Sequence, residues 1–451
     1  MPLLKPFGSL QNTAMFVRKS GGQYYCNALN TKGNSLPSSG LNRVHLSVIN
    51  NKLYQYGVGS GNTLTYRPYV VSYTSTGALN SSLVYSDTTS WLVIGYVIDS
   101  SGNQHVLLRY VTNSGSQFKL MKYDSSGTLL LAKLFTVTGL NVVFGLEKDS
   151  IGNLYVGAII NTTNIAVFKI NSSDYTSTWA QSVNTLVTPV YGYFKLHIDN
   201  SDNIIVTGED YDSVPNTRFF CVKFDSTGSV LWAKRFTVTY QAGHIDSCID
   251  VDNNIYLLMG NKLVKLSPTG TITYNYSVAL PASGSPDSYY SQLAINSLGN
   301  LVLILGGLYG FFIIALSRTI TSGGSSTLTT RVDVANNYDP IDVICDNMYT
   351  YVLSDFDNGL GRITQSIMKF SANGNNLQST SVNFSQTVDN GTTYSWAASI
   401  STSTLTNITV TTSTVTNTAL SLTPASVTPT ITTTTQAVSA TTPVVYALSL
   451  A

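Results

Sequence analysis

Side chains able to do chemistry are few and scattered. Two glutamates, Glu147 and Glu209, four histidines (His45, His105, His197, His244) and four cysteines (Cys26, Cys221, Cys248, Cys345) are spread over 451 residues. Paired carboxylates could cleave a glycosidic bond if a fold held them about 5–10 Å apart in one cleft. Among the aspartates, however, Asp124, Asp149, Asp199 and Asp225 recur at equivalent turn positions. Such recurrence is what turn capping predicts and what a single active site does not. The histidines are too dispersed for a zinc site or a dyad, and the cysteines show no CxxC spacing. They read as single thiols in strands, with Cys221 and Cys248 buried and unpaired. The run DVDNN at residues 250–254 opens like a calcium loop, but Asn261 stands where the bidentate glutamate is needed. There is no GxxxxGK[ST], HExxH or G-x-S-x-G pattern. No catalytic residue, metal ligand or cofactor is expected.

Charge excludes further classes. Charged residues make up 10 % of the chain, against about 25 % in an average soluble domain, and the formal charge is +1. No long-range field draws in nucleic acid or an anionic membrane. Seven basic residues against one acidic within the first 90 (Lys5, Arg18, Lys19, Lys32, Arg43, Lys52 and Arg67 against Asp87) suggest a mildly positive docking face. The N-terminal stretch lacks the apolar run of a secretory signal. The uncharged segment LVLILGGLYGFFIIAL at residues 301–316 is short of the roughly 20 residues of a membrane helix and reads as two buried strands joined by a turn. No nucleic-acid partner and no membrane span are expected.

The elements that must position any site are repeats. An apolar strand, a turn ending in Gly-Asn or a relative, and a second strand recur around Asn103, Asn153, Asn203, Asn254, Asn300 and Asn347, at intervals of 50, 50, 51, 46 and 47 residues, with an earlier member at Asn51. Each is followed by a second hairpin, around Gly77, Gly127, Asp174, Gly228, Gly270 and Gly374, with a degenerate member near Gly323 and Gly324. Asp or Ser opens such a turn by accepting backbone hydrogen bonds, and Gly or Asn takes its left-handed position. Four antiparallel strands in about 50 residues, with edges that need covering, point to an all-β propeller. A second-type hairpin stands alone at residues 14–29 and a first-type one at residues 394–413. Joined, they would add an eighth blade to seven complete units and close the ring. Seven blades with an accessory N-terminal hairpin is the alternative. The organisation expected is an N-terminal segment at 1–11, a propeller at 12–415 and an arm at 416–451.

The sequences DSIGNLYVGA at 149–158 and DNSDNIIVTG at 199–208 resemble the bacterial propeller repeats built on a D-x-x-GN-x-Y-x-x-G core. The resemblance covers residues 41–384 and departs from the pattern at Met348 and Tyr349. Such repeats occur in adhesins, surface proteins and virion components, so it implies a fold and not an activity. DSTGSVLW at 225–232 resembles the Asp-box of sialidase-type propellers, without an identifiable arginine triad beside it.

After Asp389 no residue is charged, and the tail is rich in Thr, Val and Ile, which favour strands over disorder. It reads as an ordered arm that either packs along its own propeller or adds strands to a neighbour, with Val444, Val445, Tyr446 and Leu448 as the partner-docking residues. A surface of Ser, Thr, Asn, Gln and Tyr, with no visible export signal, fits assembly into a particle. The expectation is a non-enzymatic, multicopy structural component of a bacteriophage virion, head, tail or surface appendage, in contact with neighbouring virion proteins. The alternatives are a carbohydrate-binding adhesin or receptor-binding protein, with a host surface glycan as partner, and a glycosidase or lyase on a propeller scaffold.

Overall fold

A computed structural model describes residues 91–110, 117–162, 164–184, 194–211, 217–238, 245–259, 262–279, 291–296, 299–307 and 310–316, and outside these the further strands named below. The unit spanning 140–184 shows how sequence makes a blade. Its strands Leu140–Lys148, Leu154–Ile160, Asn164–Ile170 and Ser177–Asn184 pair antiparallel in chain order. Every residue of LYVGAII is buried, as in a strand covered on both faces. In the first turn the Gly152 N–H donates to Asp149 O and the Asp149 N–H to Asn153 O, with Gly152 at φ 91°, the left-handed region that a side chain resists.

Among the described residues, seven such sheets follow one another over 44–84, 91–136, 140–184, 194–238, 245–279, 291–333 and 338–371, called blades one to seven. The fold is an all-β propeller of four-stranded antiparallel blades. The first strands of successive blades touch, and that of blade seven (Tyr338–Cys345) lies against that of blade one (Val44–Ile49). The N-terminal strand Gly33–Asn34 supplies the fourth position of blade seven by pairing with Arg362–Ser371. The apolar stretch at 301–316 forms Leu301–Gly307 and Gly310–Leu316, paired through Gly307 and Gly310. No helix long and apolar enough to cross a membrane occurs among the described residues.

Apolar layers fill the spaces between blades. Phe118 and Phe135 of blade two stack at 4.8 Å, and Phe168 of blade three lies 5.7 Å from Phe118, all fully buried. Polar latches join the same blades at the turns. Lys122 Nζ reaches Asp99 Oδ2 (3.7 Å) in its own blade and donates to Ser172 O (3.3 Å) in the next. Lys169 does the same with Asp149 (3.5 Å) and Ser226 O (3.4 Å), and Lys223 with Asp199 (2.8 Å) and Pro268 O (3.2 Å). Trp179 and Trp232 add their indole N–H to those same carbonyls of Ser226 and Pro268. Their rings cover Gly228 and Gly270, where a Cβ would come within 3.1 and 2.8 Å of the indole. These two tryptophans therefore pack blades together.

The C-terminal segment follows the outer edges of the blades. Ser399–Thr402 adds a fifth strand to blade five, Ile408–Thr412 to blade four, Asn417–Ala419 to blade three and Thr423–Ser426 to blade two. The chain thus runs back around the ring in reverse order. It ends with Tyr446–Leu448 beside Gln23–Cys26, which is itself paired with Val17–Ser20. Outer strands expose unpaired N–H and C=O groups, and these short Thr-rich strands satisfy one row of them. Pro424 sits in the outermost strand of its sheet, where a residue without an N–H is tolerated.

One sequence expectation meets a different arrangement. Residues 394–413 do not form a hairpin that joins the one at 14–29 in an eighth blade; they hold two strands that pair with two separate blades. The five residues between these strands, STLTN, include no Gly to close a tight turn, so the strands find open edges instead. Beyond 416 the segment contributes strands to blades three and two and to the N-terminal hairpin.

Two outcomes are expected. Lys223→Met leaves the Asp199 carboxylate nearly buried without its cation, so the urea midpoint should fall by the equivalent of about 3 kcal/mol; an unchanged midpoint contradicts the latch. Ending the chain after Ala398 should speed hydrogen exchange in the outer strands of blades two to five and leave their second strands protected.

Candidate functional site in the central channel

The first strands of the blades face the axis. In blades four to six each places a polar residue four positions before the residue that opens the next turn. These are Lys195 before Asp199, Asp246 before Asp250 and Gln292 before Asn296, and Asp342 stands on the first strand of blade seven, four residues ahead of Asp346 in the sequence. Blades two and three carry Gly95 and Gly145 there, because a Cβ would strike the Leu146 and Leu196 side chains of the following blade. Lys195 Nζ stands 3.3 Å from Asp246 Oδ1 and 3.8 Å from Asp342 Oδ1, bridging blade four to blades five and seven. Asp246 is held further by the backbone N–H groups of Ser247 and Leu293, both at 2.8 Å, and Asp342 by that of Val343 at 3.0 Å.

Two residues along from Gly145 and Lys195 come Glu147 and His197. The Nε2 of His197 lies 2.8 Å from Ser247 Oγ, which is 2.7 Å from Thr207 Oγ1. This gives a polar chain from the channel wall into blade four. Burial raises the Glu147 carboxyl to about 7, against the opposing pull of Lys195 and Lys148. Burial, with Lys195 nearby, depresses His197 to about 3, so its imidazole is neutral at physiological pH. Burial works against the Lys195 ammonium, but Asp246 and Asp342 outweigh it and hold the lysine charged. Asp246 is raised by burial in spite of Lys195. The arrangement can hold a proton on Glu147 near neutrality and present carboxylate, ammonium, amide and hydroxyl groups together.

Other candidates lie elsewhere. His105 is buried between blades two and three, with Nδ1 2.9 Å from the Tyr175 hydroxyl and Nε2 3.3 Å from Asp99 Oδ2; it forms part of a latch. Glu209 sits on the second strand of blade four, its carboxyl raised to about 7 by burial. Cys221, Cys248 and Cys345 stand outside any disulfide among the described residues, with Cys221 buried and Cys248 partly buried. No three His, Cys, Asp or Glu side chains among the described residues converge as a metal centre. Asp250 caps its own turn through Asn254 and Asp252. Tyr446 and Leu448 lie opposite Cys26 and Tyr24, while Val444 and Val445, like His45 and His244, lie outside the described residues or their described side chains. The signal for the channel set was the run of polar residues at one register position in four consecutive units.

The sign of the Glu147 shift makes a prediction. Below its ordinary value of 4.5 the carboxyl is protonated in both folded and unfolded chains. As pH rises from 4.5 to 7 the unfolded chain ionises first, so the Glu147 contribution to stability falls across that window and levels off above it. Glu147→Gln should remove that fall, leaving the part of the same sign due to Glu209 and the opposing rise due to the depressed His197 and His105; urea midpoints between these pH values measure it, and an unaltered slope contradicts the placement.

No protein-family model matches the chain, and no curated protein matches it. Among solved structures it is similar to a putative 6-phosphogluconolactonase from Bacteroides fragilis, with 14 % identity over 73 % of this chain and 97 % of that one and a TM-score of 0.46. It is similar also to the polysaccharide lyase Uly1, with 10 % identity over 80 % and 98 % and a TM-score of 0.45. A third is the β-propeller domain of the Trilobed protease from Pyrococcus furiosus, described as having an open velcro topology, with 9 % identity over 73 % and 97 % and a TM-score of 0.38. At these identities and TM-scores the likeness extends to no activity.

Proposed function

We propose that this chain is a non-enzymatic structural component of a virus particle, a strapped propeller held in many copies by neighbouring subunits. The observation that carries the reading is the C-terminal strap. An uncharged tail paired to four successive blades and then to the N-terminal hairpin ties both chain ends to the ring, which suits a body that must stay closed under load. The latches support it, since Lys122, Lys169 and Lys223 join blades instead of projecting as a charged surface. Tyr446–Leu448 is an edge strand of its three-stranded sheet among the described residues. Strand addition at that edge, flanked by Val444 and Val445, is the contact offered to a neighbouring virion protein.

A second reading has one observation in its favour: Glu147, with its carboxyl near 7 and Lys195 close by, has the properties of a general acid or base. In purified particles the protein should occur at a fixed copy number, and Val444→Asp with Val445→Asp should lower that number while leaving the melting temperature unchanged. Full-length protein absent from particles overturns the reading. Hydrolysis or elimination on a polysaccharide, abolished by Glu147→Gln, favours the second.

A further inference from the structure

The strap leaves one gap along its path. It pairs with blades five, four, three and two and ends at the N-terminal hairpin, whose first strand Val17–Ser20 lies against the third strand of blade seven. Blade one stands between blades two and seven. Among the described residues its fourth strand, Leu79–Val84, has no partner on its outer side. Open N–H and C=O groups on an edge invite another strand unless charge or proline guards them. The fourth strand of blade six, Leu328–Asp333, also lacks a fifth strand among the described residues, and its sequence holds Arg331 and Asp333. The sequence LNSSLV of blade one holds neither charge nor proline.

The register of the strap shows where a partner belongs on that edge. In every blade it covers, pairing begins at the fifth residue of the fourth strand: Tyr276 in blade five, Lys234 in blade four, Gln181 in blade three and Lys133 in blade two. The fifth residue in blade one is Leu83. Spacing shows which segment can reach it. The strap strands begin at Ser399, Ile408, Asn417 and Thr423, at intervals of 9, 9 and 6 residues, and the same pace brings the next start to residues 429–432. Residues 427–445 separate Ser426 on blade two from Tyr446 at the hairpin and lie outside the described residues. Fully extended they span about 60 Å, room to pass one blade and lay a strand on it. Within them residues 431–435 read ITTTT, which differs only at Thr433 from ITVTT of Ile408–Thr412, the strand on blade four. All five are β-branched and favour extended backbone.

We propose that the outer edge of blade one is the docking site for residues 431–435 of the same chain, laid antiparallel with Thr435 opposite Leu83 and Thr434 opposite Val84, as Thr412 and Thr411 lie opposite Lys234 and Arg235. The strap then binds five consecutive blades. It also crosses the junction of blades one and seven, where the fourth position of blade seven is held by the two-residue strand Gly33–Asn34. This docking concerns how the ring is bound from outside and stands or falls apart from the virion role, since particle copy number tests one and protection of the blade-one edge the other.

Hydrogen exchange read by mass spectrometry on the full chain is the first test. Thr433→Pro with Thr434→Pro removes two adjacent N–H groups, one of which must point into the ladder because ladder bonds alternate along a strand. Exchange at residues 83–86 should speed by about tenfold or more, while residues 133–136 of blade two keep their protection. A second test leaves the backbone intact and serves where the proline variant fails to fold. Val84→Cys is combined in turn with Thr433→Cys, Thr434→Cys and Thr435→Cys, and mild oxidation should link at least one pair within a single chain, since residues opposite each other on paired strands come within disulfide reach. The proposal is overturned if the proline variant leaves exchange at 83–86 unchanged, if none of the three pairs forms a disulfide, or if the disulfide joins two chains, which would make the occupant a second copy.

Discussion

The carboxylate that opens the first turn of a blade is the interaction on which the rest depends. In blade four, Asp199 Oδ1 accepts from the backbone N–H groups of Ser201 and Asn203, and its Oδ2 takes the Lys223 ammonium at 2.8 Å. The same lysine donates to Pro268 O of blade five, so one charge closes a turn, joins two strands and docks the next blade. Burial alone would raise the Asp199 pKa, but Lys223 and Asn203 hold it below the ordinary value. Asp99, with Asn103 and His105 as partners, is held at about 2 against the same opposing effect. Both carboxylates contribute stability above about pH 4 that is lost as pH falls toward their folded values.

Neighbouring turns are joined by a second device that uses strained backbone. Asp202 and Asn253 stand at φ 57° and 63°, where other blades have Gly. Non-glycine residues are uncommon there, and each is held by a bond to the preceding blade. Asp202 accepts from the Ser150 N–H and hydroxyl at 2.8 and 2.6 Å, and Asn253 Oδ1 from the Asn200 N–H at 2.9 Å. A glycine would relieve the backbone and lose the link. The strap completes this scheme from outside: turns fasten the blades near one end of each strand, and the tail satisfies the open row of backbone groups along the outer strands.

Much of this was legible because repeats repeat their physics. Gly-Asn turns at intervals near 50 residues fixed the four-stranded unit, and the aspartates recurring at Asp149 and Asp199 are turn caps. Trp179 and Trp232, at equivalent positions in successive units, each pack one blade against the next. The path of the tail was not legible, although its strand propensity was, because backbone pairing along an outer edge takes its partner from geometry. Nothing in the composition of Ser399–Thr402 distinguishes blade five from a neighbour's edge. Nor did the channel set declare itself by residue type, since Lys195, Asp246, Gln292 and Asp342 form no known motif and come together only when four first strands meet at the axis.

That contrast gives a rule for reading such a chain. Positions that hold the same residue type in every unit serve the ring, because each blade makes the same demands on its turns and interfaces. Positions that change type from unit to unit are released from those demands and can answer to something off the repeat. At the register four before the turn, blades two and three have Gly95 and Gly145, for close packing against Leu146 and Leu196, while the next four blades have a cation, an acid, an amide and an acid. Stability does not ask for that variety. An apolar residue at each of those positions would fill the channel without desolvating two carboxylates and an ammonium, an exchange that is often neutral or favourable. The cost of keeping charge there is carried only by the blades that meet on one side of the axis. That cost is offset by pairing, since Lys195 joins Asp246 and Asp342 and Asp246 accepts from the Leu293 N–H, so the polar set ties blades four to seven together where their first strands meet.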